Sequence, residues 1–333
     1  FNNQVYQLSC KYYKLGGNTL DLITHFLVPY IILTAIKSKN KLVGGFGGIS
    51  PDFDTIFVAW IGILAPQFFI FSHRGITHSF IFGFITSTIF LYVISRKQVN
   101  EFISNLIKRD LTVKFTKTTI AIAYFGVLIH LFLDYLTTLG IPLFFPFSIT
   151  RYAANIYQSL DLATTILAAV VLLIIYMKVN YKYKKAAMAI FMIVLISFGG
   201  IRAYEKINIL DDETPTLNGN YSQLAAYPTS DMFKWNVVKI DSENTSYIVF
   251  EYDTWTNQEL NIKMYSTPSV ENGNYSSASS AIKIADTLPE VKKFKWNSYY
   301  TLVNANYNSN KWDITYYDIL TSYTANNVTV TVP

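Results

Sequence analysis

The sequence predicts an all-α multi-pass membrane domain of about five to six segments over residues 19–205. A small β-rich extracytoplasmic tail follows over 206–333, and residues 1–18 are a separate N-terminal segment. Three observations predict this. The chain is 51% hydrophobic with a mean hydropathy of +0.25, too apolar for an ordinary soluble protein, and its apolar residues come in long runs. Residues 1–205 carry 18 Lys and Arg against 8 Asp and Glu, whereas 206–333 carry 9 against 14. The hydrophobic pattern also changes near residue 206 from continuous runs to alternation.

Apolar runs at 19–36, 76–95, 118–139, 160–177 and 186–203 read as membrane helices. Each approaches the roughly 20 residues that span the hydrocarbon. Segment 53–72 is also apolar but contains Pro66 and follows the loop LVGGFGGISPD. Residues 42–72 are therefore expected to cross once as a broken or re-entrant element, tolerated where such backbone lines a cavity. Basic clusters set the orientation: Lys37, Lys39 and Lys41; then Arg96, Lys97, Lys108, Arg109, Lys114 and Lys117; then Lys178, Lys182, Lys184 and Lys185. Placing all three in the cytoplasm puts the N-terminus, loop 140–158 and everything beyond about 204 outside. The excess charge belongs to these loops, so nucleic-acid binding is not needed to explain it. The tail alternates in stretches such as TSYIVFEY and NNVTVTV, as strands do. It holds four N-x-[ST] sequons, at Asn220, Asn244, Asn274 and Asn327, in keeping with an outside location.

Composition also removes some chemistries. Cys10 is the single cysteine, which excludes an intrachain disulfide framework and a thiolate metal site. LVGGFGGIS lacks the lysine and the strand–helix context of a phosphate-binding loop. No serine or cysteine sits in a nucleophile elbow.

What remains is a histidine–aspartate pattern inside the apolar part. All four histidines, His25, His73, His78 and His130, lie there, together with Asp52, Asp54, Asp134 and Asp161. Ionisable groups are costly in a bilayer and are retained mainly where they pair, bind ions or do chemistry. Imidazole and carboxylate together form a ligand set for zinc or another divalent metal. The densest motif is His73-Arg74-Gly75-Ile76-Thr77-His78-Ser79. Its two imidazoles reach one ion if Gly75 lets the backbone turn. Arg74 offers a planar fork for phosphate or carboxylate oxygens, and Thr77 and Ser79 can hold outer hydrogen bonds. The competing reading is a polar helix cap.

Pro51-Asp52-Phe53-Asp54 puts two acids one residue apart. They share a site only if the turn is irregular, which Pro51 favours; otherwise they cap a helix. His130, Asp134 and Thr138 follow i, i+4, i+8 and share one helix face. The alternative there is a His–Asp pair that staples helices. Asp161, with Thr164 and Thr165 on its face, begins the next helix. His25 lies in the first turns of helix one, on the same side of the membrane as the others. Asp52 and Asp54 join a single site only if residues 42–51 turn back into the membrane.

Together these motifs resemble the YdjM-like family of membrane-bound metal-dependent hydrolases, also described as LexA-binding and inner-membrane-associated. The resemblance rests on Thr24-His25, the Pro51–Asp54 and His73–Ser79 runs, and His130, Asp134, Thr138, Gly140 and Pro146-Phe147, and it covers about residues 20–165. The stretch Pro228…Lys234-Trp235-Asn236-Val237-Val238 looks like the C-terminal extension of some members. The resemblance implies a multi-pass membrane protein with a metal site. A LexA association would require a cytoplasmic surface, and nothing in the sequence supplies one.

The sequence therefore points to a metal-dependent hydrolase at the membrane surface. The metal ligands would be His25, Asp52, Asp54, His73, His78, His130 and Asp134, for zinc or manganese. Metal-activated water would attack, Asp54 or Asp161 would take the proton, and Arg74 would bind the anionic part of a phosphoester or lipid headgroup. Two other classes use the same residues. One is a transporter or proton relay, against which no inverted repeat is visible. The other is a non-catalytic surface protein with a structural metal and a partner on its tail.

Overall fold

A computed structural model describes residues 21–108, 113–138, 140–158, 162–214, 221–320 and 327–333. Of these, residues 21–64 with 68–205 form one compact unit, and those from 206 on with 65–67 form another.

The first unit is helical. α1 (Asp21–Ala35), α5 (Phe80–Ile94), α7 (Lys117–Tyr135), α8 (Leu162–Tyr176) and α9 (Tyr181–Glu213) stand at the five apolar runs. α7 starts at a capping box in which Thr116 and Thr119 satisfy each other's backbone N–H groups. Among the described residues two helices, α7 and α9, are long and apolar enough to cross a membrane. A third candidate exists if α5 is joined to α6 (Lys97–Ile107) across an 81° bend. α1 and α8 are apolar but only 15 residues each, about 22 Å long at 1.5 Å per residue. The structure thus supplies two to three spans by length where the sequence predicts five to six.

The largest local departure from expectation is residues 41–49. LVGGFGGIS, expected as a loop, is mostly helix: α2 runs Lys41–Ile49. Glycine disfavours helix in isolation, so packing must decide. A Cβ on Gly47 would lie 2.1 Å from Ala123 O, and one on Gly126 would lie 2.1 Å from Gly44 O. The glycines let α2 and α7 touch backbone to backbone, as small residues do between membrane helices. After α2 the chain breaks up into a 3₁₀ turn at Pro51–Phe53, α3 (Asp54–Phe57), α4 (Ala59–Leu64) and a 3₁₀ stretch at Pro66–Phe71. Segment 53–72 is a series of short pieces with no long helix.

The second unit holds two four-stranded sheets. β1 (Tyr221–Pro228), β2 (Lys234–Asp241), β3 (Ser246–Asp253) and β4 (Gln258–Ser266) pair antiparallel in sequence order. β5 (Ser269–Glu271) pairs parallel with β6 (Thr301–Asn308), which continues antiparallel to β7 (Lys311–Asp318) and β8 (Asn327–Val332). α10 (Tyr275–Ala285) and α11 (Pro289–Asn297) cover that second sheet. The tail, expected as β-rich, thus also carries two helices. In α10 the small residues Ala278, Ala281 and Ala285 are spaced i, i+3, i+7 and bury against Trp312, Ile314 and Tyr316. Asn274 caps α10 by accepting from Ser277 N.

Candidate metal centre

Four pieces of chain in the helical unit bring the polar residues together. α7 presents His130 and Asp134 on one face, one turn apart. α1 contributes His25. The irregular turn at 51–54 contributes Asp52 and Asp54, and the turn at 72–79 contributes His73, Arg74, Thr77 and His78. In that second turn Arg74 takes the left-handed conformation, φ 59°. Gly75 meets a different need: a Cβ there would lie 1.9 Å from Ile70 O. The predicted role of Gly75 as the bend is therefore shared, with Arg74 turning the chain and Gly75 allowing the close approach.

The distances define one cluster. His78 Nε2 lies 3.3 Å from Asp52 Oδ1 and 3.4 Å from Asp134 Oδ2. His130 Nε2 lies 3.3 Å from Asp134 Oδ2 and 3.7 Å from Asp52 Oδ1. His25 Nε2 is 3.6 Å from Asp134 Oδ1, and the His25 and His130 rings lie with centroids 3.9 Å apart, tilted by 35°. His73 Nδ1 lies 2.8 Å from Asp54 Oδ1. Three overlapping sets bring ligand atoms within 4.8 Å of one another: His25, Asp52 and His130; Asp52, His73 and His78; and His78, His130 and Asp134. Six of the seven residues predicted as ligands fall in these sets.

Asp54, the seventh, is occupied otherwise. Its Oδ1 holds His73, and its Oδ2 accepts from Thr77 Oγ1 at 2.7 Å. It stands behind the imidazoles and orients them. Asp161 lies outside the described residues. Arg74 also differs from its predicted role. It is buried, with Nη2 2.9 Å from Asp134 Oδ1 and Nη1 donating to Thr137 Oγ1 at 2.9 Å. The guanidinium is turned inward and holds the Asp134 carboxylate in place. Of the two hydroxyls predicted to support the site, Thr77 does so, whereas Ser79 caps α5 by accepting from Phe82 N. The predicted Thr138 shares no helix face with Asp134 because α7 ends at Tyr135, and Thr137 makes the contact instead.

The residues fit a cation by two tests. The first is the state of His130. Its Nδ1 sits 2.7 Å from Gly48 O, which can only accept, so Nδ1 carries the proton and Nε2 presents a lone pair. This pairing of a ligating imidazole with a backbone carbonyl is the common outer-sphere arrangement in metal sites. His130 Nε2 and Asp134 Oδ2 are both buried without a hydrogen-bond partner, although buried polar atoms are nearly always satisfied. The second test is charge. With the carboxylates ionised and the imidazoles neutral, Asp52, Asp54 and Asp134 face a single fixed cation among the described residues, Arg74. The cluster is then two positive charges short of neutrality, and burying uncompensated charge is costly. A divalent cation would supply that charge, as would protons taken up by the imidazoles.

The cluster is closed on most sides. His25, His78, His130 and Asp134 are 2% exposed or less, while the side chain of His73 is 17% exposed and marks the edge nearest solvent. Thr77→Val should loosen Asp54 and with it His73. The expected result is a 10- to 100-fold weaker metal affinity, read by titration with a competing chelator.

Sequence reasoning missed the Gly48 carbonyl and Thr137. The signal for the first was present, since Gly44 and Gly48 form a small-xxx-small pair in an apolar stretch. No sequence signal distinguishes Thr137 from Thr138, because that choice depends on where α7 stops.

A family model described as YdjM inner membrane protein matches residues 20–206. No curated protein and no solved structure matches the chain.

Proposed function

The chain belongs to the YdjM inner membrane protein family, and on that premise we propose that it is a membrane-bound metal-dependent hydrolase acting on a phosphoester or lipid headgroup. The observation that carries the reading is the buried pair His130 Nε2 and Asp134 Oδ2, 3.3 Å apart and each without a hydrogen bond of good geometry. His25, Asp52, His78, His130 and Asp134 would hold zinc or manganese, with His73 completing the set toward solvent. When bound, such a cation supplies Lewis acidity and lowers the pKa of water to about 7. Asp54, held by His73, would take the proton. The two are hydrogen-bonded at 2.8 Å, and His73 is the cluster member most open to solvent. Arg74 fixes Asp134, and Thr77 fixes Asp54. In this reading α1, α5 and α8 cross the membrane beside α7 and α9, and the tail lies outside.

The test is metal content of the detergent-purified protein beside a His73→Ala/His78→Ala double variant. We expect about one or two zinc or manganese per chain in the parent and background levels in the variant, followed by hydrolysis in a phosphoester screen. Chelation should also lower stability. For a metal held at about 100 times its Kd the loss is roughly 2–3 kcal/mol, seen as a fall in Tm that metal restores.

One observation favours a second reading. The cluster is buried apart from His73, which suits a proton or ion relay as well as it suits a hydrolase. Divalent-ion flux into proteoliposomes, lost in Asp134→Asn, would select the relay. Metal-dependent hydrolysis without flux would select the enzyme.

A further inference from the structure

Helix α6 has an apolar flank that the fold leaves open. The chain leaves α5 at Ile94 and bends by 81° into α6. The bend is braced: Asn100 Nδ2 donates to Ile94 O at 3.3 Å, Asn100 N donates to Arg96 O at 2.8 Å, and the Arg96 guanidinium sits 3.9 Å over the Tyr92 ring. Val99 and Ile103, one turn apart, pack inward with Leu91, Ile94 and Val113. Phe102 and Leu106, also one turn apart, are 67% and 71% exposed. At 100° per residue they adjoin the Val99–Ile103 stripe, while the exposed Lys97, Glu101 and Asn105 lie on the far side. The apolar sector of α6 is thus wider than the part the protein covers.

We propose that α6 lies in the plane of the membrane at the headgroup layer, with Phe102 and Leu106 inserted at the acyl boundary. α5 exposes Ile81, Phe84, Ile85, Ile89 and Val93, as a lipid-facing helix does, and a helix bent 81° from it runs nearly parallel to the surface. An amphipathic helix with one polar and one apolar side is suited to that position. The neighbouring charge fits anionic lipid. Among the described residues from 95 to 117, Arg96, Lys97, Lys108, Lys114 and Lys117 are exposed against Glu101 as the sole exposed acid. The other geometry, α6 as the second leg of a broken span, would carry Lys97, Glu101 and Asn105 into hydrocarbon, which is costly.

The test uses the full chain in phosphatidylcholine vesicles with and without phosphatidylglycerol, in a Cys10→Ser background. Phe102→Cys, Leu106→Cys and Glu101→Cys are each labelled with an environment-sensitive fluorophore, and monodispersity in detergent confirms folding. At 102 and 106 we expect quenching by a headgroup-proximal nitroxide lipid about threefold stronger than by a chain-end nitroxide, with shielding from aqueous iodide. The probe at 101 should be iodide-accessible. Iodide access at 102 and 106 equal to that at 101 would overturn the proposal, and so would strongest quenching by the chain-end nitroxide. Omitting phosphatidylglycerol should weaken the shielding about twofold; no change would remove the basic residues from the account.

Discussion

Asp134→Ala should remove bound metal and destabilise the protein by about 3–5 kcal/mol. The carboxylate lies within 4 Å of four partners: His25, Arg74, His78 and His130. Its loss removes an oxygen within 3.4 Å of both His78 and His130, and it strips the buried Arg74 of the Asp134 carboxylate. The second effect dominates stability, because a charge stripped of its buried partner costs more than the pair contributed. Asp134→Asn separates the two effects. The amide keeps the volume and one acceptor for Arg74 but loses the charge, so metal content should fall as far as in the alanine variant while less stability is lost. Chemical denaturation in detergent, with metal quantified on the same samples, reads both. Full metal content in Asp134→Asn would show that this carboxylate is not a ligand.

Gly126→Leu, distant in sequence from the motifs, should be nearly as damaging. Its Cβ alone would stand 2.1 Å from Gly44 O and 2.7 Å from Gly48 N, both backbone atoms of α2. Backbone cannot step aside as a flexible side chain can, so α2 and α7 must separate. The expected cost is about 3 kcal/mol. Separation also withdraws Gly48 O from His130 Nδ1, so metal affinity should fall 10- to 100-fold in whatever protein still folds. Gly200→Ala is the control. A Cβ there meets nothing within 4 Å, and alanine is the better helix former by about 0.5–1 kcal/mol. An unchanged or slightly raised Tm at Gly200 beside a collapsed one at Gly126 would assign the damage to the helix contact. Equal effects at both would argue against it.

Much of this protein was legible in the residue order. Apolar runs placed four of the five apolar helices to within about four residues, while α9 runs ten residues past its predicted end, because a continuous apolar run has few other ways to be buried. Alternation placed the tail strands for a similar reason, since a period of two fits a half-buried sheet. The polar residues of the centre were visible as exceptions to an apolar background. The i, i+4 spacing of His130 and Asp134 put them on one face because α7 is regular there. What the sequence could not give depended on contacts between segments distant along the chain. Whether Gly44–Gly48 is loop or helix is decided by α7 pressing against it, since glycine's own preference points the other way. Arg74 looked outward as a free fork until the turn at 72–79 folded it onto Asp134. Asp54 looked like a ligand until His73 and Thr77 claimed its two oxygens. α10 forms in a tail expected to be β-rich because the sheet beneath it gives its alanines something to bury against. Local pattern fixes which elements form and which faces are apolar. Only the tertiary fold decides which partner each buried polar atom finds, because that partner lies on another segment.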